Sequence, residues 1–290
     1  MGILLGLLTA LTWGGSDFLA RFATHRIGTL RTMFYMQTTG LLLLSICLPW
    51  LGGWGHLHDG SGWQPWAWGV LAGCLNAVCT LTLYRSFEIG KLSVVAPLSA
   101  SYPALTVILS LLTGEHLRAT RAAGIICTIL GVVLVARGEQ EPPKDDVQGD
   151  ARKGKGVAWA LCSAGGFGVL FWLLGNRVVP RVGAPQAVWI IRLTSVLLSA
   201  VILLVVKQRL SLPRGPVRWY VLAMGLLDTS AFVSSNRGMQ MEQVAIVSVL
   251  GSLYGAVTVG LAAIFLKEHV ARWQWAGIVT IFLGIFLISL

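Results

Sequence analysis

The chain has 290 residues, of which 55% are hydrophobic and only 12% charged, and its mean hydropathy is +0.74. No water-soluble core of this length needs so much apolar surface, so a soluble enzyme or binding domain is excluded. The formal charge of +10 does not mark a nucleic-acid binder, because the basic residues fall in short stretches between apolar runs, where the positive-inside rule accounts for them.

A helix crosses a bilayer with about 20 predominantly apolar residues. In chain order that ruler gives ten spans, at 3–22, 32–49, 65–84, 93–112, 121–136, 156–174, 185–206, 217–235, 244–265 and 273–289. Each is expected to be helical, since hydrocarbon cannot satisfy open backbone groups. The first run has no basic leader and flows into a polar stretch containing Asp17, so it reads as a retained span and not as a cleaved signal. Span four is interrupted by Pro97 and Pro103. Between spans five and six lies the one long polar stretch, 137–155, expected to be a flexible linker. It sets three domains: a five-helix unit at 1–137, the linker at 138–155 and a second five-helix unit at 156–290. Cys47, Cys74, Cys79, Cys127 and Cys162 all fall inside spans without ligand spacing, so no disulfide, metal or cofactor is implied.

The second unit repeats the first. Tyr84-Arg85 corresponds to Asn236-Arg237, and Tyr102 to Tyr254. Glu115-His116-Leu117 matches Glu268-His269-Val270, and Gly124 and Gly131 match Gly277 and Gly284. Upstream, Gly28 corresponds to Gly183, which sets Gln37 opposite Arg192. A duplicated apolar unit is a mark of secondary transporters, and an odd number of spans per unit inverts one copy relative to the other. The expected fold is therefore all-α, ten transmembrane helices as two inverted five-helix repeats. Loops after the odd-numbered spans hold sixteen of the 22 Lys and Arg, and those after even-numbered spans hold five. That split puts the linker in the cytoplasm and both termini outside.

The residues themselves resemble a known group. Leu11-Thr12-Trp13-Gly14-Gly15-Ser16 is close to the opening pattern of the EamA-type ten-helix transporters, in the drug/metabolite transporter superfamily. The stretch 84–117, with Pro103 and Gly114-Glu115, resembles that group's signature across helices three and four, and 236–270 repeats it more weakly. The resemblance implies transport of a small metabolite such as an amino acid, an amine or a drug, in a multi-pass protein of the bacterial cytoplasmic membrane. Three departures stand out. An arginine common in the second helix is Gln37 here, Gly255 replaces the equivalent of Pro103, and family members usually keep both termini inside the cell.

Ionisable residues inside a span are costly, about 2.5–3.5 kcal/mol on insertion scales, and so point to function. Three sit well inside: Asp17, Arg192 and Asp228. Asp228 lies near the midplane, with Asn76 as its repeat equivalent, and the two are expected to face each other where such transporters hold substrate. Two carboxylates against one guanidinium leave one negative charge, and a buried carboxylate without a partner suits a proton carrier or an ammonium binder. Bland alternatives stand beside this: Asp17 paired with Arg21 along its own helix, Arg192–Asp228 as a structural ion pair, and Asn76 as a helix–helix contact. Helical spacing adds companions. Trp13 shares a face with Asp17, and Trp189 and Ser195 share one with Arg192. Thr80 and Tyr84 follow Asn76, and Phe232 and Ser235 follow Asp228. Ser248, Gly251, Ser252 and Gly255 form a small, polar stripe. Trp13 and Trp189 could contact a substrate ammonium through their rings, although tryptophans in spans also serve as interfacial anchors.

The expected function is secondary active transport of a small, amine-bearing solute by alternating access, driven by protons or by another gradient. Asp228 is its central residue and Arg192 the resting partner. Expected partners are that solute, protons and membrane lipids. The rival readings are a flippase for lipids or lipid-linked substrates and, more remotely, an intramembrane aspartyl enzyme. The Gly-x-Gly-Asp context of the latter is absent at both Asp17 and Asp228.

Overall fold

A computed structural model describes residues 1–51, 62–113, 119–138, 147–208, 210–241, 244–268 and 271–289. Within them the protein is built from helices, with no strand. The first half contains α1 (Gly2–Ile27), α2 (Thr29–Cys47), α3 (Gln64–Ile89), α4 (Leu92–Ser99), α5 (Tyr102–Leu112) and α6 (Ala119–Gly138). The second contains α7 (Val147–Leu173), α8 (Val179–Val182), α9 (Ala184–Val205), α10 (Pro216–Met241), α11 (Val244–Ser252), α12 (Tyr254–Leu261) and α13 (Arg272–Ser289). Two π-helical segments, Leu174–Val178 and Ala262–Leu266, extend α7 and α12.

Six helical stretches among the described residues are long and apolar enough to cross a membrane: Gly2–Ile27, Thr29–Trp50, Gln64–Ile89, Leu92–Leu109, Gly154–Val182 and Ala184–Val205. Three shorter apolar ones lie at Ala122–Gly131, Leu250–Leu266 and Trp275–Leu287. The helix α10 joins neither group, although its 26 residues rise about 39 Å. Its polar residues Asp228, Thr229, Ser234, Ser235 and Asn236 are buried, so they face protein and not lipid. Part of the expected linker is also helical. Residues 147–155 form the first turns of α7, where the backbone bonds internally, and 139–146 lie outside the described residues.

Gly28 ends α1 at φ 82°, ψ 159°, and Gly183 ends α8 at φ 78°, ψ 160°. A side chain would be strained in either place, so glycine lets each chain reverse directly into the next helix. Spans four and nine are each broken in two. The first breaks at Ala100–Ser101 and the second at Leu253, so Tyr102 and Tyr254 both open the half-helix that follows. The break in span nine has no proline. There Gly255 is pressed against α4, where a β-carbon would lie 2.8 Å from that of Ala100 and 3.2 Å from the Ala96 carbonyl.

Contacts between the halves come in corresponding pairs. Thr9 Oγ1 donates to the Ala231 carbonyl at 3.3 Å, and its counterpart Ser163 Oγ donates to that of Cys79 at 3.2 Å. Thr106 Oγ1 donates to Gly168 at 3.1 Å, as Thr258 Oγ1 does to Gly14 at 3.3 Å. Gly73 lets α3 approach Thr194 of α9, and Gly225 lets α10 approach Thr39 of α2. Backbones come closest between α6 and α13. A β-carbon on Gly131 would lie 2.6 Å from the Ile281 nitrogen and 2.8 Å from the Gly277 oxygen, and one on Gly284 would lie 2.7 Å from the Gly124 oxygen. Small residues that admit a neighbouring backbone hold membrane helices together by packing. Gly131→Ala is therefore expected to destabilise by about 1–3 kcal/mol and to lower the melting temperature in detergent. Gly165→Ala, with nothing within 4 Å of the added carbon, should be neutral or slightly stabilising. Equal melting of the two variants would contradict this packing.

Candidate functional site

The centre of the molecule is organised by one guanidinium. Arg192 on α9 is fully buried. Its Nη2 donates to Asp228 Oδ2 on α10 at 2.5 Å, and its Nη1 donates to Gln37 Oε1 on α2 at 2.5 Å. Met36 Sδ lies 3.8 Å from the same Nη1, and the guanidinium carbon lies 5.0 Å from the Phe232 ring centroid. Gly40 makes room for this crossing, because a β-carbon there would come within 3.2 Å of Arg192 Nε. Gln37 thus stands directly against its own repeat counterpart. A neutral amide oxygen accepts from the guanidinium, where a second arginine would repel it.

Beside the pair lies a cavity lined by aromatic and acidic side chains, among them Trp13, Asp17, Thr80, Tyr84, Asp228 and Phe232. Trp13 meets Phe171, Phe232 and Tyr254 edge-on, at centroid distances of 5.6, 5.3 and 5.9 Å. Phe171 in turn packs on Tyr102 at 4.8 Å and stacks on Phe232 at 6.0 Å. The free space is about 30 Å³, room for a water or two and too little for an organic solute as the cavity stands.

Asp17 lines this cavity and is buried. Among the described residues it has no hydrogen-bond or ion-pair partner. Pairing with Arg21 along α1 does not occur, because Arg21 Nη1 instead donates to the carbonyls of Phe87 and Gly90. With Asp228 paired to Arg192, Asp17 is the carboxyl lining the cavity that has no cation beside it among the described residues.

Other sequence candidates are placed differently. Asn76 does not meet Asp228. Its Nδ2 donates to Ser195 Oγ on α9 at 3.2 Å, so both polar residues are held by α9, one turn apart, and Asn76 does not line the cavity. Trp189 lies outside the cavity, where its Nε1 donates to Ser45 Oγ on α2 at 2.9 Å. The α11 stripe is a packing surface. Gly251 sits against Thr9, Trp13 and Tyr102, and the Ser248 carbonyl accepts from Tyr102 Oη at 3.1 Å. Ser248 and Ser252 are buried, and neither lines the cavity. Phe167 and Phe171 line it without having been singled out in the sequence. They occupy the repeat positions of Trp13 and Asp17, which is the one signal that could have found them.

Comparison with known proteins agrees with this architecture. The family description "EamA-like transporter family" matches residues 1–137 and 154–290, leaving out only the polar junction. An uncharacterised protein of Methanocaldococcus jannaschii is 28% identical over 135 residues, which cover 46% of this chain and 95% of the relative. A solved crystal structure superposes on 99% of this chain and 95% of its own, with a TM-score of 0.71 at 18% identity, and so shares the fold.

Proposed function

Since the chain belongs to the EamA-like transporter family, within the drug/metabolite transporter superfamily, we propose that it carries a small, amine-bearing organic solute across a bacterial cytoplasmic membrane by alternating access. Members of that family are transporters and not enzymes. The observation that carries the substrate class is Asp17: a buried carboxylate, without a cation among the described residues, in an aromatic-lined cavity beside an already neutralised Arg192–Asp228 pair. An unpaired buried charge costs several kcal/mol, and a proton or a substrate ammonium relieves it. The competition between those two is the proposed coupling, and the rings of Trp13 and Phe232 suit the ammonium through their negative faces.

Two inverted five-helix repeats, 1–137 and 156–290, are the proposed moving parts. Support comes from the corresponding contacts between halves, from the paired breaks in spans four and nine, and from a relative of about half this length that matches almost end to end. The basic loops favour a cytoplasmic junction between the repeats. A flippase is the less favoured reading. The apolar groove between α12 and α13, lined by residues such as Val259, Trp275 and Phe282, shares no lining residue with the acidic cavity.

The test is a thermal-shift screen of the purified protein with primary, quaternary and poly-amines, amino acids and their uncharged isosteres. A ligand at a hundredfold its Kd stabilises by about 2.7 kcal/mol. Amines are expected to raise the melting temperature and their neutral isosteres are not. Equal stabilisation by both would remove the case for an ammonium site.

A further inference from the structure

At the membrane face where α1 ends, three elements of the chain converge on the turn between α3 and α4. Arg21 of α1 donates to the carbonyls of Phe87 and Gly90, at the end of α3. Glu88 accepts from Thr29 Oγ1, the first residue of α2, at 2.5 Å. From the second half, Glu268 places both carboxylate oxygens on the start of α4: Oε1 accepts from Leu92 N at 3.3 Å and Oε2 from Ser93 N at 2.8 Å.

The first amides of a helix have no partner within it, and Lys91, the residue before α4, offers no side-chain cap. Glu268 supplies the missing acceptors from another part of the chain, and its negative charge sits at the favourable end of the helix dipole. The chain is bent to allow this. Lys267 adopts φ 52°, ψ 33°, a left-handed conformation rare for a residue with a side chain, and it turns Glu268 out of the π-helical end of α12. Arg21 is one helical turn beyond the cavity residue Asp17. Tyr84, which lines the cavity, packs on Phe87 at 6.2 Å.

We propose that Glu268 is the positioning residue that holds the transport path shut at this face, by tying half-helix α4 to the end of α12. Release of the carboxylate frees α4 to pivot at its break, Ala100–Ser101, and opens the cavity toward the α1 C-terminal side. This rests on the carrier reading, but its test needs no solute.

A single cysteine at Thr80, in a protein with the five native cysteines replaced, reports cavity opening through its reaction with a membrane-impermeant methanethiosulfonate. The reagent is added from each side in turn, to right-side-out and to inverted vesicles. Glu268→Ala is expected to raise labelling from the α1 C-terminal face about tenfold and to leave the other face unchanged. Glu268→Gln keeps an acceptor but loses the charge, so it should give a smaller rise on the same side, and it decides the matter if the alanine variant does not fold. Unchanged labelling, or an equal rise from both faces, would overturn the proposal. Failure of every amine to bind would count against the carrier reading alone.

Discussion

Arg192→Met is expected to lose most of the folded protein. The substitution leaves Asp228 buried without its cation and the Gln37 Oε1 without its donor. Breaking one side of a buried pair costs about 3–5 kcal/mol, whereas replacing both partners by apolar groups of similar volume is often neutral. Arg192→Met with Asp228→Leu should therefore recover much of what the single change loses, and the double-mutant cycle should show strong coupling. Monodisperse yield on size exclusion and melting temperature in detergent read the effect. A single variant that melts with the wild type would mean that the guanidinium holds nothing together.

The second large effect is expected at Asp17. Asp17→Asn keeps the shape of the side chain and removes the one cavity-lining carboxylate that has no cation among the described residues. It should fold normally and bind amines about thirty- to a hundred-and-fiftyfold more weakly, the loss expected when a charge-assisted contact of about 2–3 kcal/mol disappears. Asp228→Asn is predicted to differ. It removes the partner of Arg192, so its first consequence is a buried guanidinium without a counter-charge, and stability should fall along with binding. Titration calorimetry beside thermal melting separates the two, because a binding defect without a stability defect belongs to Asp17 alone.

Much of this was legible in the residues because membranes leave few choices. Apolar runs gave the helices in order, and the matched Tyr102 and Tyr254 marked the corresponding half-helix starts. The three intramembrane charges all gather at the centre. What escaped depended on neighbours. Span nine breaks without a proline, next to Gly255, which packs closely on α4, and the π-helical ends of α7 and α12 carry no composition signal. Asn76 and Asp228 have equal depth, but depth does not decide what a side chain meets, and α9 takes both. Trp189 shares a helix face with Arg192, yet its Nε1–H finds Ser45 on α2 and anchors two helices. Phe167 and Phe171 looked like any apolar residues in a membrane helix. Their importance comes from standing opposite Trp13 and Asp17 in the repeat. Glu268 stood out only as the repeat counterpart of Glu115, and its partners, backbone amides of the other half, leave no mark in composition.

Asp17 is expected to exchange a proton for an amine during transport. The direct measurement is uptake into proteoliposomes of the amine that binds best, driven by an imposed pH gradient, for wild type and Asp17→Asn. The wild type is expected to concentrate the amine while the gradient lasts, and the variant is expected not to respond to it. Uptake by Asp17→Asn at the wild-type rate, with unchanged pH dependence, would mean that Asp17 takes no part in coupling.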